Sequence, residues 1–483
     1  MRLRRFAALL PLLSAGLGSA QSQNTTTPIK HVVVIFDENI SFDHYFATYP
    51  NAANRQGEPV FHALPNTPIV NGLSGTLLTH NPNSAQPFRL DRTQNVTCDN
   101  DNHYGDEQKA YDAGLLDKFV QVTSATGNGC TPALSMGYYD GNTVTAMWNY
   151  AQHYSMSDNF FDTEFGTTVM GHVNLISGNT HQTATPSISG KIANGSIIGN
   201  VEAGDDDCAT GTLIQMTGKN VGDLLNAKGV TWGWFYGDWI PTSAKNGVAS
   251  CSSVYNSHYD PFNYYASTAN PHHLPPSTVA MIGQTDQANH QYSVGDFWNA
   301  AYNGYMPAVS FLKATANSTG HPQNSDPLSE QTWLVNTINE LMSLPEWKET
   351  AILITYDDSD GWYDHVMPPI VNQSNDSAND ALNGSGLCGT PAPGAYLDRC
   401  GYGSRLPFLV ISPFAKANFV DHTVNDTTSV LRFIEDNWDL GRIGDQSFDA
   451  IAGSILNNFD FTAPPNKPLK LDPNSGEVVR PGK

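Results

Sequence analysis

Apolar residues occur in short continuous runs along this chain, and we interpret five of these runs as buried strands. A strand covered on both faces of a sheet shows such a run, whereas a half-exposed strand alternates apolar and polar residues. The runs are residues 29–36, 230–236, 308–312, 351–356 and 407–411. Segments with a helical spacing of apolar residues are residues 142–154, 326–344 and 427–438. This alternation predicts an α/β fold of three layers, in which helices cover both faces of a mostly parallel central sheet.

Three long stretches rich in glycine, asparagine, serine and proline interrupt this pattern. They are residues 50–135, 180–290 and 366–404. We interpret them as long loops that crown the sheet, and not as separate domains. A chain of 483 residues can bury one large core, so we place a single domain at residues 21–462. The remaining residues 463–483 contain several prolines and lysines and are predicted to form an extended tail.

The first twenty residues have the pattern of a secretory signal peptide. Three arginines stand among the first five residues, an apolar stretch covers residues 6–17, and small residues at 18–20 suit cleavage. The apolar stretch is too short to cross a bilayer as a helix. We therefore expect a secreted, extracellular protein with no integral membrane part.

The formal net charge is −22, and it becomes −25 once the three arginines of the signal are removed. A surface of this charge repels nucleic acids and anionic membranes at neutral pH. We expect no nucleic-acid partner, and at most a transient contact with a lipid surface.

Six cysteines are present and none forms a C-x-x-C pair, so a secreted chain of this kind is expected to contain disulfides and no zinc knuckle. Fifteen pairings are open to six cysteines. We favour the pairing of chain neighbours, because it closes the polar loops: Cys98–Cys130, Cys208–Cys251 and Cys388–Cys400. Nine Asn-x-Ser/Thr sequons predict a glycoprotein, at Asn24, Asn39, Asn95, Asn194, Asn317, Asn372, Asn375, Asn383 and Asn425. Asn39 is expected to stay unmodified, since a glycan there would block the site described next.

Two acidic clusters directly follow two of the predicted strands. They are Asp37-Glu38-Asn39 and Asp357-Asp358. Ligands of open α/β sheets bind beyond the carboxyl ends of the strands, so the clusters meet at one edge if both strands share a parallel sheet. Packed carboxylates are costly to assemble without a cation. The pattern predicts one divalent metal ion of open identity, magnesium, calcium, manganese or zinc. Acidic helix N-caps are the alternative that each cluster alone would favour.

A threonine pair marks a predicted helix start in Phe165-Gly166-Thr167-Thr168. Backbone N–H groups at a helix start suit a phosphate, and a hydroxyl there becomes a nucleophile when a metal or a base activates it. An ordinary N-cap threonine is the alternative. Arginine is scarce and the lysines do not cluster near these motifs, so histidines are the expected donors around a phosphate. Four lie in suggestive contexts: His103, His258, His321 and His365.

Four segments, in chain order, resemble signatures of a family of secreted phosphoesterases. Residues 38–46 resemble its E-N-x-S-F-D-x-Y-F signature and residues 356–366 its second signature, while residues 405–413 and 426–435 resemble its C-terminal blocks. The family contains phospholipases C and acid phosphatases and is related to the alkaline phosphatase superfamily. The resemblance extends from about Lys30 to Phe461, and it implies an alkaline phosphatase-like fold.

The resemblance also implies a role for each matching residue. One divalent metal ion would be held by Glu38, Asn39, Asp357 and Asp358, together with the nucleophile Thr168. The phosphate would be surrounded by His103, His258 and His321, as donors or as the acid for the leaving group.

One departure from the family concerns the residues after the nucleophile. The family often carries an Asn-containing pair there, whereas this chain has Met170-Gly171-His172. The substrate contacts of this helix therefore stay open. The nucleophile is Thr168 or Thr167, and the spacing from Phe165-Gly166 favours Thr168. His365 either contacts the site directly or supports the metal ligands through a hydrogen bond.

We thus predict a hydrolase that cleaves a phosphate ester in two steps through a phosphothreonine. The resemblance around Thr168 favours a phospholipase C acting on glycerophospholipids. An acid phosphatase acting on phosphomonoesters is the alternative, and a binding glycoprotein without catalysis is a further one. Aromatic residues at 232–236 and 262–265 would line an acyl pocket or, as aromatic residues more often do, lie in the core. The C/S-x-P-x-R motif of sulfatases is absent from the sequence.

Overall fold

The structure is a computed structural model that describes residues 24–127, 129–243, 247–374 and 376–479. The expected signal peptide at residues 1–20 lies outside them. The strands are β1 His31–Asp37, β2 Phe88–Arg89, β3 Gly137–Tyr138, β4 Ser155–Ser157, β5 Phe160–Phe161, β6 Ile192–Ala193, β7 Ser196–Ile197, β8 Glu202–Ala203, β9 Leu213–Ile214, β10 Trp232–Tyr236, β11 Gln291–Ser293, β12 Val309–Lys313, β13 Thr350–Tyr356, β14 Phe408–Ile411, β15 Phe419–Asp421 and β16 Asn425–Asp426. The α-helices are α1 Phe42–Phe46, α2 Thr76–Thr79, α3 Tyr104–Tyr111, α4 Phe119–Val122, α5 Thr145–His153, α6 Thr168–Ser177, α7 Val221–Lys228, α8 Val294–Tyr302, α9 Pro327–Leu341 and α10 Thr427–Trp438.

One large sheet forms the centre of the described residues, and its eight strands follow the order β11-β10-β12-β1-β13-β14-β4-β15. Strand β1 pairs in parallel with β12 on one side and with β13 on the other. Strand β14 is antiparallel to both of its neighbours, so it alone runs against the other strands of this sheet. The predicted mostly parallel sheet is confirmed.

Helices cover both faces of this sheet. On one face, the ring of Phe36 in β1 meets the ring of His172 in α6 edge to face, with centroids 4.9 Å apart. The next residue, Asp37, lies on the opposite face, as does its register partner Tyr356 in β13, whose hydroxyl donates to Glu330 of α9. The predicted three-layer α/β architecture is therefore confirmed.

The five predicted strands are all present in the large sheet, with boundaries shifted by one or two residues. Strands β4, β11 and β15 have three residues each and too little apolar sequence to be recognised. Helix α10 has the predicted bounds, and Asp426 caps it by accepting from the N–H of Thr428. Helix α9 ends at Leu341, three residues before the predicted end.

The long polar stretches form loops with short helices and two-stranded ribbons inside them. The three expected disulfides lie there and are confirmed: Cys98–Cys130, Cys208–Cys251 and Cys388–Cys400. The segment after residue 463 contains neither an α-helix nor a named strand among its described residues, and Leu471 bonds to Asn339 of α9. The domain boundary at 462 stays a prediction. Among the described helices, none has the length and apolar character needed to cross a membrane.

Candidate active site

The two acidic clusters lie side by side at the carboxyl edge of the sheet. Strands β1 and β13 are adjacent and parallel, with Asp37 opposite Tyr356, so the next residues of both strands emerge at one edge. Asn39 adopts a positive φ of 63°, and its backbone N–H donates to Asp357 Oδ1 at 2.9 Å. The side chains of Glu38, Asn39, Asp357 and Asp358 are all buried.

Several oxygens of this cluster lack a hydrogen-bond partner among the described residues. They are Glu38 Oε2, Asn39 Oδ1 and Asp357 Oδ2. The pKa values of Glu38 and Asp358 lie well above the ordinary value of a carboxyl group. Burial is the larger cause, and the negative charge of Asp357 is the second. Buried polar atoms are normally satisfied, and three oxygen donors together are the ligands that hard divalent cations prefer. The residues present therefore fit the metal ion that the sequence predicts.

Helix α6 brings the threonine pair to this edge. Thr168 is its first residue, and the Thr168 hydroxyl lies 3.4 Å from Asp358 Oδ2. One turn later the backbone of Gly171 packs so closely on the acidic loop that a Cβ there would be 1.9 Å from the carbonyl oxygen of Asp357. The missing side chain of Gly171 thus sets how near the helix comes to the acidic cluster.

The two threonines have different surroundings. The Thr167 hydroxyl donates to Asn200 Oδ1 at 2.7 Å, and the same oxygen accepts from the N–H of Val169 at 3.2 Å. Thr167 is thus engaged at the start of the helix, while Thr168 lies beside Asp358. This difference favours Thr168 as the nucleophile. The N–H of Val169 is already occupied, which leaves fewer helix-start donors for a phosphate than the sequence suggests.

Glu107 of α3 contacts both the turn before Thr167 and the second acidic loop. Its carboxylate accepts from the Gly166 N–H at 3.0 Å and from the Ser359 hydroxyl at 2.5 Å. Burial raises its pKa to about 7, against the effect of these hydrogen bonds. Ser359 directly follows Asp358, so Glu107 connects the turn before α6 to the second acidic loop.

His172 of α6 belongs to the same buried cluster, and the sequence analysis gave it no role. Its Nδ1 lies 2.8 Å from the carbonyl oxygen of Thr168, which makes Nδ1 the donor and leaves Nε2 as an acceptor. Nε2 lies 3.7 Å from Glu38 Oε1. Burial lowers the pKa of His172 well below its ordinary value, so the ring is neutral. Glu38, His172 and Asp357 form a group whose nearest ligand atoms all lie within 4.8 Å of one another. His172 follows Thr168 by four residues, which places both on the same face of a helix, and this spacing was the signal for His172 in the sequence.

Lys313 is the second residue that the sequence analysis missed. It ends strand β12, which is the other neighbour of β1, and its ammonium group forms a buried ion pair with Glu38 Oε1. The same ammonium lies 4.8 Å from the ring centroid of Tyr259. The sequence analysis noted only that lysines do not cluster near the motifs; strand pairing, and not chain proximity, brings Lys313 to the site.

A cleft of about 500 Å³ opens on Thr168. Its lining consists of polar residues and glycines: Asn39, Asp99, Asn100, Asn102, His103, Thr167, Thr168, Ser189, Gly190, Lys191, Gly199, Asn200 and His321. The aromatic residues at 232–236 and 262–265 lie in the hydrophobic core instead, as the more common alternative predicts.

Two of the three histidines assigned to phosphate lie on this cleft. His103 is largely exposed, and a hydrogen bond to Asp101 raises its pKa. His321 is buried, and its Nδ1 lies 2.7 Å from the carbonyl oxygen of Pro322, so Nδ1 is the donor. His258 is not among the described residues that line the cleft, and its ring bonds to Glu202 and Asn256. The roles of all three stay predictions.

His365 lies in a different polar network. Its Nδ1 is 2.6 Å from Asp43 Oδ2, and Asp43 also pairs with the buried guanidinium of Arg405. Arg405 in turn pairs with Asp364. These contacts are to residues other than the four predicted acidic and amide ligands. His365 therefore connects the two signature segments, residues 38–46 and 356–366, and is not among the described residues that line the cleft.

Comparison with known proteins identifies the class. The model of the phosphoesterase family matches residues 29–441, which is most of the chain, and the protein therefore belongs to that family. The family resemblance read from the sequence is confirmed.

Two relatives that are about a quarter identical in sequence align with nearly the whole chain. The non-hemolytic phospholipase C of Pseudomonas aeruginosa is 25% identical over 93% of this chain and 60% of that protein. Phospholipase C A of Mycobacterium tuberculosis is 23% identical over 94% of this chain and 82% of that protein. The chain thus spans less than two thirds of the Pseudomonas relative. A solved structure of a protein in the alkaline phosphatase superfamily from Vibrio parahaemolyticus is 9% identical with a TM-score of 0.33, covering 77% of this chain and 74% of that one.

Proposed function

We propose that this protein is a metal-dependent phosphoesterase that uses Thr168 as its nucleophile. The observation that carries the proposal is that Thr168 lines a polar cleft and its hydroxyl lies 3.4 Å from Asp358, a residue of the acidic cluster in which three buried oxygens lack partners among the described residues. Membership of the phosphoesterase family supports the same reaction class.

The metal ion would be held by Glu38, Asn39, Asp357, Asp358 and Thr168, where it would offset negative charge on the nucleophile and on the phosphoryl oxygens. The chain itself positions the reacting groups. Thr168 begins helix α6 and lines the cleft, and Glu107 fixes the turn before it. Thr168 releases its hydroxyl proton to solvent and attacks phosphorus in line with the departing ester oxygen. A water then cleaves the phosphothreonine, its oxygen bonding to phosphorus and one of its protons returning to the Thr168 oxygen.

The proton for the leaving alcohol comes from a histidine on the cleft. His103 lies on the open side and has a raised pKa, so it is the better acid at mildly acidic pH. His321 has its Nδ1 engaged with a backbone carbonyl, which leaves Nε2 to accept or share a proton with the substrate.

Two substrate classes are proposed. Relatives named phospholipase C cover 93% and 94% of this chain and favour a glycerophospholipid. The polar lining of the cleft then receives the phosphate and the head group, while the acyl chains stay outside it. The same polar lining favours the second candidate, a small water-soluble phosphomonoester, as an acid phosphatase would use.

We also propose that the protein is secreted and glycosylated. Three disulfides and the absence of a spanning helix among the described residues are compatible with an extracellular enzyme. Asn39 is buried and its side-chain amide donates to Asp360, which supports its exclusion from glycosylation.

The test is turnover by the purified protein on phosphatidylcholine, phosphatidylglycerol and an aryl phosphomonoester, each with and without chelator. Diacylglycerol release that chelator stops supports a phospholipase C, and monoester turnover alone supports an acid phosphatase. Thr168→Ala should abolish turnover and keep the thermal unfolding transition of the wild type. A Thr168→Ala variant with near-normal rate removes Thr168 from the mechanism. Inactivity of the wild type on every ester, with metal supplied, favours the non-catalytic glycoprotein.

A further inference from the structure

Asn200 lies on the cleft wall beside the nucleophile, although it is 32 residues away from Thr168 in the chain. It belongs to none of the segments that resemble the family signatures. Its side-chain oxygen accepts two hydrogen bonds, from the Thr167 hydroxyl at 2.7 Å and from the Val169 N–H at 3.2 Å. Asn200 therefore caps helix α6 from a separate loop.

These two donors fix the orientation of the amide. A backbone N–H needs an acceptor, so the atom facing Val169 must be the oxygen and the NH₂ group must lie on the other side. Among the described residues, no hydrogen bond takes up this NH₂ group. The residue borders the cleft, and its two N–H donors are free for whatever occupies the space next to Thr168.

We infer that Asn200 is a substrate-contacting residue whose amide N–H groups bind an oxygen of the phosphoryl group that Thr168 attacks. The inference rests on the proposed function and supplies the phosphate contact that the sequence left open when it showed Met170-Gly171-His172 after the nucleophile. A neutral donor locked by two hydrogen bonds needs no reorganisation when negative charge develops on the phosphoryl oxygens. The hydrogen bonds to Thr167 and Val169, the two neighbours of Thr168 in the chain, hold this donor beside the proposed nucleophile.

Asn200→Asp separates the two halves of this residue. A carboxylate accepts from Thr167 and Val169 as the amide oxygen does, so the helix cap and the melting temperature should be retained. The N–H donors are lost, and kcat/KM should fall by about 10²- to 10³-fold, the usual effect of removing one oxyanion donor. Ser187→Asp adds the same charge to an exposed position of the same polar stretch, outside the cleft lining, and should leave kcat/KM within a few-fold of wild type.

A binding measurement removes the dependence on turnover. Orthovanadate, a tetrahedral oxyanion, should bind the metal-loaded wild type and the Ser187→Asp variant with similar affinity in calorimetry. Its affinity for Asn200→Asp should be at least about tenfold lower, since one donor hydrogen bond to a charged group is lost. If Asn200→Asp fails to fold, Thr167→Val tests the same contact, because it removes one anchor of the amide and should weaken orthovanadate binding.

The outcomes distinguish the inference from the function on which it rests. If the wild type is active and Asn200→Asp keeps both kcat/KM and orthovanadate affinity, the role of Asn200 is overturned and the proposed function is not. If the wild type is inactive but binds orthovanadate, and Asn200→Asp weakens that binding, the proposed reaction is overturned while the contact of Asn200 with the oxyanion is supported. An equal loss in Ser187→Asp shows an effect of charge and also overturns the inference.

Discussion

Gly171→Ala tests whether the packing of α6 on the acidic loop sets the geometry of the site. The added Cβ would lie 1.9 Å from the Asp357 carbonyl oxygen and 2.7 Å from its carbon. Carbon and carbonyl oxygen approach to about 3.3 Å at closest in favourable contacts. The helix and the loop must therefore separate by about 1.4 Å.

The two consequences of this shift have different sizes. Overpacking costs about 1–3 kcal/mol of unfolding free energy, and the better helix propensity of alanine returns up to about 1 kcal/mol. Thr168 lies one turn before Gly171, so the displacement reaches the proposed nucleophile. A misplacement of about 1 Å reduces turnover by about 100-fold. We expect a folded variant with a small loss of stability and a loss of kcat of about two orders of magnitude.

The assay is urea unfolding alongside steady-state kinetics on the best ester. Gly295→Ala is the matched control, because Gly295 is an exposed residue in α8 and its added Cβ meets nothing closer than 3.5 Å. This control should keep its activity and gain stability. Gly171→Ala with wild-type kcat would refute the idea that the contact with Asp357 positions Thr168.

Two further predictions concern buried charges near the site. Lys313→Met should lower the unfolding free energy, measured in urea, by about 3–5 kcal/mol, because it leaves Glu38 unpaired in a buried position. The control Lys109→Met breaks an exposed pair with Asp106 and should cost less than about 1 kcal/mol. Equal effects of the two variants contradict the reasoning. Glu107 keeps its proton in the folded state up to about pH 7 but releases it near pH 4.5 when unfolded, so its burial makes stability fall as pH rises between these values. Glu107→Gln should remove this part of the pH dependence, and parallel stability curves for variant and wild type would show that Glu107 does not titrate in this range.

The parts of the site that follow strands were readable from the sequence. Glu38, Asn39, Asp357 and Asp358 each come directly after a continuous apolar run, and parallel pairing brings such positions together. Lys313 also directly follows a predicted strand, residues 308–312, but a single lysine after an apolar run is too common a pattern to attract attention.

Asn200 and His172 were harder to find for physical reasons. Asn200 lies in a long loop without periodicity, and only its contact with α6 shows its position. His172 required knowledge of which face of α6 meets the sheet. His258, in contrast, has a polar sequence context like that of His103, yet the fold pairs it with Glu202.

The pairing of β1 with β13 has a consequence for the order in which the protein becomes functional during synthesis. Asn39 and Asp357 are joined by a hydrogen bond across 318 residues of chain. The ribosome therefore produces Glu38 and Asn39 early, and Asp357 and Asp358 only after most of the polypeptide exists. No partial chain that stops before the end of β13 can bring these four residues together, so the proposed metal ion could not guide the first steps of folding.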